Sequence, residues 1–349
     1  MMNVLDKDLQ QLLASDLEFN KFKDTNFLIT GATGLIGSLL IKSILFLNSE
    51  KDLNVKVYAI VRNLEKAKGV FGELYNNERL AFVTANLNTD SIDVEDKIDY
   101  IVHAAAVTRS KILVEKPVEA MGTAINGTKK MLEVAKRDRV RKMVYISSME
   151  IYGRVDSSKK AAELDLGYVD LTNVRSGYPE SKRMCELMCN AYASEYRVNV
   201  TSARLAQTFG AGILSNENRV FAQFAKSAID DKDIILHTEG LSEGNYVYTM
   251  DAIEAILLLL LKGKNGEAYN VSNPNSHITI KGMAELVAQN FSKGSKVIID
   301  IPDDSKKYGY APETHLWLDA TKLESLGWNP KNNLTESYAK LIEWIRENS

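Results

Sequence analysis

Tyr178 and Lys182 stand four residues apart in the stretch YPESK, a spacing that puts both side chains on one face of a helix. An ammonium about 4 Å from a phenol, at an effective dielectric of about 20, favours the phenolate by about 4 kcal/mol, or about three pKa units. A tyrosine so placed becomes a base usable near neutral pH. The spacing alone is common on surface helices, so it needs company. Ser148, at the end of the apolar run KMVYISS, offers a hydroxyl to hold a reacting alcohol, and Gly31, Gly34 and Gly37 of TGATGLIG offer backbone that a ligand can approach. Together they make a constellation for hydride transfer. Ser148 hydrogen-bonds the reacting hydroxyl, Tyr178 takes its proton, and Lys182 tunes Tyr178 and holds the ribose of a nicotinamide cofactor.

The residues around the glycines say where such a cofactor would lie. Gly31 directly follows the apolar run NFLIT and Gly37 falls one turn into a helical pattern. The backbone between them can meet a pyrophosphate at a helix N-terminus, where unpaired N–H groups favour anionic charge. The alternative is tight helix–strand packing, which excludes side chains for its own reasons. The second strand ends AIVRN. A dinucleotide site for NAD usually has a carboxylate there for the ribose hydroxyls, whereas an arginine accommodates a 2′-phosphate, so Arg62 tilts the choice between NAD and NADP toward NADP. The alternative is a solvated loop charge. Asn86, at the end of the third strand, can accept from an adenine amino group or simply make a turn.

These groups need a frame. Strands are expected at 26–30, 55–61, 80–85, 100–106, 142–148 and 199–204, with helices at 34–47, 117–136 and 178–196. Strands separated by helices imply an α/β fold, a parallel doubly wound sheet covered on both faces. A helix over 4–20, with Leu5, Leu9, Leu12 and Leu13 on one side, forms an N-terminal extension over 1–24. The dinucleotide-binding domain is expected over 25–210. Residues 211–349 form mainly a smaller C-terminal substrate lobe, with some return to the sheet; it includes KVIIDIP (296–302) and a last helix near 334–346.

Composition narrows the partners. The 349 residues carry 43 Lys and Arg against 46 Asp and Glu, a formal charge of −3 that leaves no basic surface for a nucleic-acid backbone. Asp6 and Asp8 stand where a secretory leader would be positive, and the longest apolar run, 255–261, is too short to span a bilayer; a cytoplasmic protein is expected. Cys185 and Cys189, four apart, suit a buried helix face better than a disulfide, and His103, His237, His277 and His315 lack metal-ligand spacing. No metal, nucleic-acid or membrane partner is expected.

The chain resembles the extended short-chain dehydrogenase/reductases, in the branch of NAD(P)-dependent nucleotide-sugar epimerases and dehydratases. The resemblance runs from about residue 25 to the C-terminus and rests on TGATGLIG (30–37), HAAA (103–106), NGT (126–128), SSMEIYG (147–153), YPESK (178–182), GEAYNVSN (266–273) and LGWNP (326–330). It implies a Rossmann fold, a homodimer, a nucleotide-sugar substrate and the catalytic roles of Ser148, Tyr178 and Lys182. It implies cofactor contacts at Gly31, Thr33, Gly34, Leu35, Ile36, Gly37, Ala104, Tyr178 and Lys182; Arg62 and Asn86, read above, and Leu87, Ala105 and Ala106 are expected to join them. Substrate contacts are implied at Thr108, Arg109, Glu150, Gln207, Arg219 and Tyr246, and Asn126 matches a residue that supports the active-site strand and a water.

Within that family the cofactor first oxidises the sugar, usually at C4, and the fate of the resulting ketone depends on the residues beside the serine. Dehydratases resemble this chain in having a glutamate at the position of Glu150, which takes the C5 proton, but carry an acid where Met149 stands; a thioether cannot donate that proton. UDP-glucuronate decarboxylases also have the glutamate, and their approach to the tyrosine is similar to RSGY (175–178). Simple 4-epimerases need no such carboxylate, and Glu150 would then be a structural partner for a nearby arginine. Two positions depart from the pattern: Gly244 replaces an arginine that grips the sugar diphosphate, leaving Arg219, Arg204 or Arg109 to take over, and Gln207 replaces an asparagine. The expectation is an epimerase or dehydratase working through a transient 4-keto sugar. The rivals are a UDP-glucuronate decarboxylase-like enzyme, an NADPH-dependent carbonyl reductase and a non-catalytic dinucleotide-sensing protein.

Overall fold

Short β-branched runs flanked by turn residues become strands that are apolar on both faces, the pattern of a sheet sandwiched between helices. The computed structural model describes residues 2–301 and 313–348. Six strands come first: β1 (Asn26–Thr30), β2 (Lys56–Val61), β3 (Leu80–Thr84), β4 (Tyr100–His103), β5 (Lys142–Ser148) and β6 (Val200–Leu205). With β11 (Ala268–Val271) they form one seven-stranded sheet in the order β11-β6-β5-β4-β1-β2-β3. Every neighbouring pair is parallel. The fold is the expected doubly wound α/β class.

Alternation within each strand feeds two cores. Phe27 and Ile29 of β1 face one side, where α2 (Leu35–Lys51) and α8 (Thr249–Lys262) pack, and Leu28 faces the other. On that other side lie α5 (Pro117–Asp138) and α6 (Gly177–Tyr196), the latter burying Cys185 and Cys189. Shorter helices α3 (Leu64–Phe71) and α4 (Ser110–Glu115) follow β2 and β4. Because β4 and β2 flank β1 on opposite sides, the chain reverses direction of travel across the sheet there, and a crevice opens at the strands' carboxyl ends.

The expected helix over 4–20 is shorter than its leucine pattern suggests: α1 (Val4–Leu13) stops where Ala14, Ser15 and Asp16 end the apolar stripe, and only a 3-10 turn at Phe19–Phe22 follows. The buried Asp8 of α1 accepts hydrogen bonds from Tyr248 and from Lys340 at 2.7 Å, fastening α1 to the chain's last helix. Burial raises the Asp8 carboxyl above its ordinary value, with Lys340 and Tyr248 opposing that rise.

A third core, around Phe209, Phe221 and Tyr338, fills a lobe beyond the sheet's carboxyl edge. Its strands are β7 (Gln207–Phe209) parallel to β10 (Tyr246–Tyr248), β8 (Ile234–Leu236) parallel to β13 (Val297–Ile299), and β9 (Glu243–Gly244) antiparallel to β12 (Ile278–Thr279). Helices α7 (Val220–Ile229), α9 (Ile280–Phe291), α10 (Thr321–Glu324) and α11 (Leu334–Glu347) complete the chain. Of the expected segment 296–302, β13 takes three residues, and Pro302 lies outside the described residues. No helix among the described residues is long and apolar enough to cross a membrane, and no cluster of three His, Cys, Asp or Glu among them could hold a metal.

Candidate active site

Two of the three glycines are required by backbone packing. Gly31 has φ +67°, and a Cβ there would lie 2.7 Å from the backbone of Ala104; a Cβ on Gly37 would collide with the Gly31 carbonyl oxygen. The packing alternative therefore accounts for Gly31 and Gly37. Gly34 is different. It is the N-cap of α2 and brings no side chain to cap it, so the first N–H groups of a 17-residue helix, those of Leu35 and Ile36 among them, face the crevice without a side-chain partner. That N-terminus, with the partly buried Thr33 beside it, fits a dinucleotide's pyrophosphate.

Opposite the glycine loop, the segment after β4 is held by a chain of hydrogen bonds. Thr128 donates to the Ala124 carbonyl at 2.8 Å, so its oxygen accepts from His103 Nε2 at 3.2 Å, which leaves His103 Nδ1 to accept from Thr30 at 2.6 Å. Thr30 in turn accepts the Ala105 N–H at 3.1 Å. Burial pushes His103 down to about 3, so the ring stays neutral and keeps this tautomer. The relay fixes Ala104, Ala105 and Ala106 against Gly31. No spacing rule would have joined Thr30, His103 and Thr128, since each lies on a different element.

Asn86 makes a turn, its side-chain carbonyl accepting the Asn88 N–H at 3.0 Å and its own backbone N–H donating to Asp90 at 2.8 Å; Leu87 is buried against Gly127. Asn126 donates to Asn88 at 2.7 Å and so ties α5 to that turn. Arg62 is exposed just past β2. Arg109, expected at the substrate, lies within electrostatic reach of Lys66: after burial, Arg109 and Arg62 are the charges that lower the Lys66 ammonium's pKa. Both guanidiniums thus lie within electrostatic reach of Lys66 near the end of β2. Thr108 is exposed in the loop before Arg109.

The three residues expected to do the chemistry come together at the carboxyl ends of β5 and β6. Ser148 ends β5 and its oxygen accepts the Glu150 N–H at 3.2 Å. Tyr178, in the first turn of α6, faces Ser148 closely enough for that hydroxyl to lower its phenol's pKa. Lys182, one turn on, is buried and donates to the Ile146 carbonyl at 2.6 Å, with its ammonium 5.9 Å from the Tyr178 ring centre. This corrects the expected electrostatics. Burial and then the Glu150 carboxylate raise Tyr178 to about 12, against the Ser148 hydroxyl, Arg175 and Arg219. Lys182 is not among the leading charges acting on it: its ammonium is aimed at the β5 backbone and is itself lowered by burial to about 8.

Around the trio, Glu150 is paired with Arg175 at 2.9 Å, the structural partnership that competes with a role in base catalysis. Arg219, the N-cap of α7, pairs with Glu217 at 2.7 Å and still faces Tyr178 closely enough to lower its pKa. Gln207 is half-buried in β7, opposite Tyr246. Tyr246 is a correction: it is buried edge-on to Phe209 in the core of the lobe, and burial raises its phenol far above the ordinary range. Arg204 cannot replace the missing diphosphate arginine either, since it is buried in an ion pair with Glu186 at 2.7 Å and donates to the Glu163 carbonyl at 2.6 Å. Arg183, which sequence reasoning passed over, donates to the Ile151 and Gly167 carbonyls, each at 2.7 Å, and pins the long segment between Ser148 and Tyr178 onto α6. Beside its local pair with Glu180 at 2.9 Å, those partners are distant backbone carbonyls, which leave no trace in a sequence.

The family model for the NAD dependent epimerase/dehydratase family matches residues 27–272. The chain is 26% identical over 342 residues to human dTDP-D-glucose 4,6-dehydratase, covering 92% of this chain and 90% of that one. It is 27% identical over 324 residues to UDP-glucuronic acid decarboxylase 1 of Xenopus tropicalis, covering 92% and 72%. Among solved structures, UDP-glucuronic acid 4-epimerase of Bacillus cereus, in complex with UDP-glucuronic acid and NAD, superposes with a TM-score of 0.77 at 22% identity, over 93% of this chain and all of that one. With a glycine loop at a bare helix N-terminus, a Ser148–Tyr178–Lys182 assembly beside it, and a family model spanning most of the sheet, the chain belongs to the NAD dependent epimerase/dehydratase family.

Proposed function

We propose that the protein binds a nucleotide-activated sugar, oxidises it at C4 and returns the hydride after a rearrangement of the transient 4-keto sugar. The observation that carries this reading is Tyr178 facing Ser148, with the Lys182 ammonium one helical turn on and 5.9 Å from the Tyr178 ring centre. Ser148 holds the C4 hydroxyl, Tyr178 takes its proton in the forward step and gives it back in the reverse step, and Lys182 positions the ribose. When bound, the dinucleotide supplies a nicotinamide that accepts and returns the C4 hydride, and whose positive charge favours the Tyr178 phenolate. Met149 leaves no acid at the position from which dehydratases protonate a departing hydroxyl. A second reading, decarboxylation of a nucleotide-linked hexuronate, is favoured by one observation, the Arg175 guanidinium next to Glu150 and Tyr178.

The test is to incubate the NAD-loaded protein with UDP-, dTDP-, CDP- and GDP-sugars, reading product mass and reduced-nicotinamide absorbance together. A new or isomerised sugar nucleotide with no net absorbance change is expected. Stoichiometric consumption of NADPH would establish a reductase instead, and tight dinucleotide binding without conversion of any sugar would favour a sensing protein.

The cationic trio Arg62, Lys66 and Arg109 supports the lean toward NADP within a family that is NAD dependent. On that reading Arg62→Ala weakens NADP binding by about ten- to a hundredfold, the scale of a lost charge-assisted hydrogen bond, and leaves NAD almost unchanged. Calorimetry showing equal losses, or tighter NAD than NADP in the unmodified protein, removes the lean. Met184 and Leu187 project from α6 with 47% and 61% exposure, and a second copy of the chain covering them would make the homodimer. Leu187→Glu is expected to yield monomers by sedimentation; an unmodified protein that is already monomeric at micromolar concentration rules that interface out.

A further inference from the structure

Arg175 lies three residues before Tyr178, in a short 3-10 turn (Val174–Ser176) whose N-cap Asn173 accepts the Arg175 N–H at 3.0 Å. The turn runs directly into α6, so the Arg175 backbone and Tyr178 move as one piece. Its guanidinium reaches 2.9 Å from the Glu150 carboxylate and sits 5.5 Å from the Tyr178 ring centre. Glu150 comes from the other side, out of the turn Met149–Tyr152 that continues β5 beyond Ser148. One ion pair therefore joins the segment that carries Ser148 to the segment that carries Tyr178.

We infer that Arg175 is a positioning residue that holds the Glu150 carboxylate and screens its charge from the Tyr178 hydroxyl. This rests on the reading of Tyr178 as the proton acceptor. The pair is partly exposed, 24% for Arg175 and 34% for Glu150, so water weakens but does not remove the effect.

The groups that face Tyr178 set the sign. Ser148 at the end of β5, Glu150 after it, Arg175 before α6 and Arg219 at the start of α7 act on the hydroxyl, and Lys182 lies under the ring. Burial and Glu150 raise the phenol; the Ser148 hydroxyl, Arg175 and Arg219 lower it. Removing Arg175 withdraws one lowering charge and at the same time frees Glu150 to act unopposed, so both consequences push the same way. Removing the Glu150 charge pushes the other way.

Fluorotyrosine incorporated throughout the NAD-saturated protein lets fluorine NMR follow each phenol, with the Tyr178 signal assigned by its loss in Tyr178→Phe. Arg175→Gln is expected to move the Tyr178 titration up by about one pH unit, the size of a charge at this distance after solvent screening. Glu150→Gln moves it down, and in that background Arg175→Gln produces less than half of its original shift. Arg175→Lys restores the position close to that of the unmodified protein, which separates charge from any folding defect. A Tyr178 titration unmoved by Arg175→Gln, or moved equally with and without the Glu150 charge, overturns the inference. No sugar enters this measurement, so it stands or falls apart from the turnover test of Tyr178 itself.

Discussion

Tyr178→Phe is expected to lower turnover by about two to four orders of magnitude, the range for loss of a general acid–base group, while dinucleotide affinity stays near that of the unmodified protein. The substitution removes one oxygen and keeps the ring that Arg175 and Lys182 face from 5.5 and 5.9 Å. On the proposed reading dinucleotide affinity comes mainly from the N-terminus of α2 and the segment after β4, neither of which the phenol supports. Calorimetric binding beside kcat on the sugar nucleotide that the protein converts separates the two effects, and near-full turnover would mean that another group takes the proton. The raised phenol adds a sign. Tyr178 sits at about 12, and a group that must be deprotonated to act as a base loses activity as pH falls below its pKa, so the forward oxidation should quicken as pH rises toward the alkaline limit of stability.

Glu150→Gln should divide the reaction in two. Oxidation at C4 needs Ser148, Tyr178 and Lys182, all of which the change leaves in place, and losing the Glu150 charge lowers the Tyr178 phenol, which favours that step. If Glu150 takes the C5 proton, the variant reduces its bound nicotinamide on adding substrate and then stops, and the reduced form accumulates instead of recycling, with product formation falling by about two to four orders of magnitude. The carboxamide still accepts a hydrogen bond from Arg175, so the link between the two catalytic segments persists and melting temperature should change little. Turnover at the unmodified rate excludes proton abstraction by Glu150 and makes simple 4-epimerisation the better description. The Arg175 contact already points to a cost of the base role: a carboxylate that accepts a guanidinium at 2.9 Å must give up part of that contact to take a proton.

Much of the frame was legible because local pattern carries it. The runs at 26–30 and 142–148 are strands to the residue, since β-branched and aromatic side chains fill both faces of a buried sheet. Tyr178 and Lys182 share a helix because four-residue spacing depends only on helical geometry. What was not legible is where long side chains point. Lys182 reaches a backbone carbonyl 36 residues back, Arg204 turns inward to Glu186, Arg109 comes within electrostatic reach of Lys66, and Tyr246 enters the lobe's core. Each of these depends on which distant element packs alongside, and periodicity holds no record of that. The shortened α1 has the same cause: Leu13 and Leu17 keep the apolar spacing and pack partly buried against the core, but the fully buried face of the helix ends at Leu12.

The outermost strand of the sheet, β11, has a bearing on how a nascent chain must fold. It pairs with β6, yet the ribosome makes it about 65 residues later, after the glycine loop, the catalytic trio and the first part of the lobe. At about 5–20 residues per second, the open edge of β6 waits roughly 3–13 s for its neighbour. An unpaired parallel strand next to the catalytic strand is a template for the wrong partner, including the same strand of another unfinished chain. Slow synthesis or a crowded polysome should therefore be more hazardous to this protein than dilution of the complete chain from denaturant, and a chaperone that covers strand edges would act on β6 during that interval.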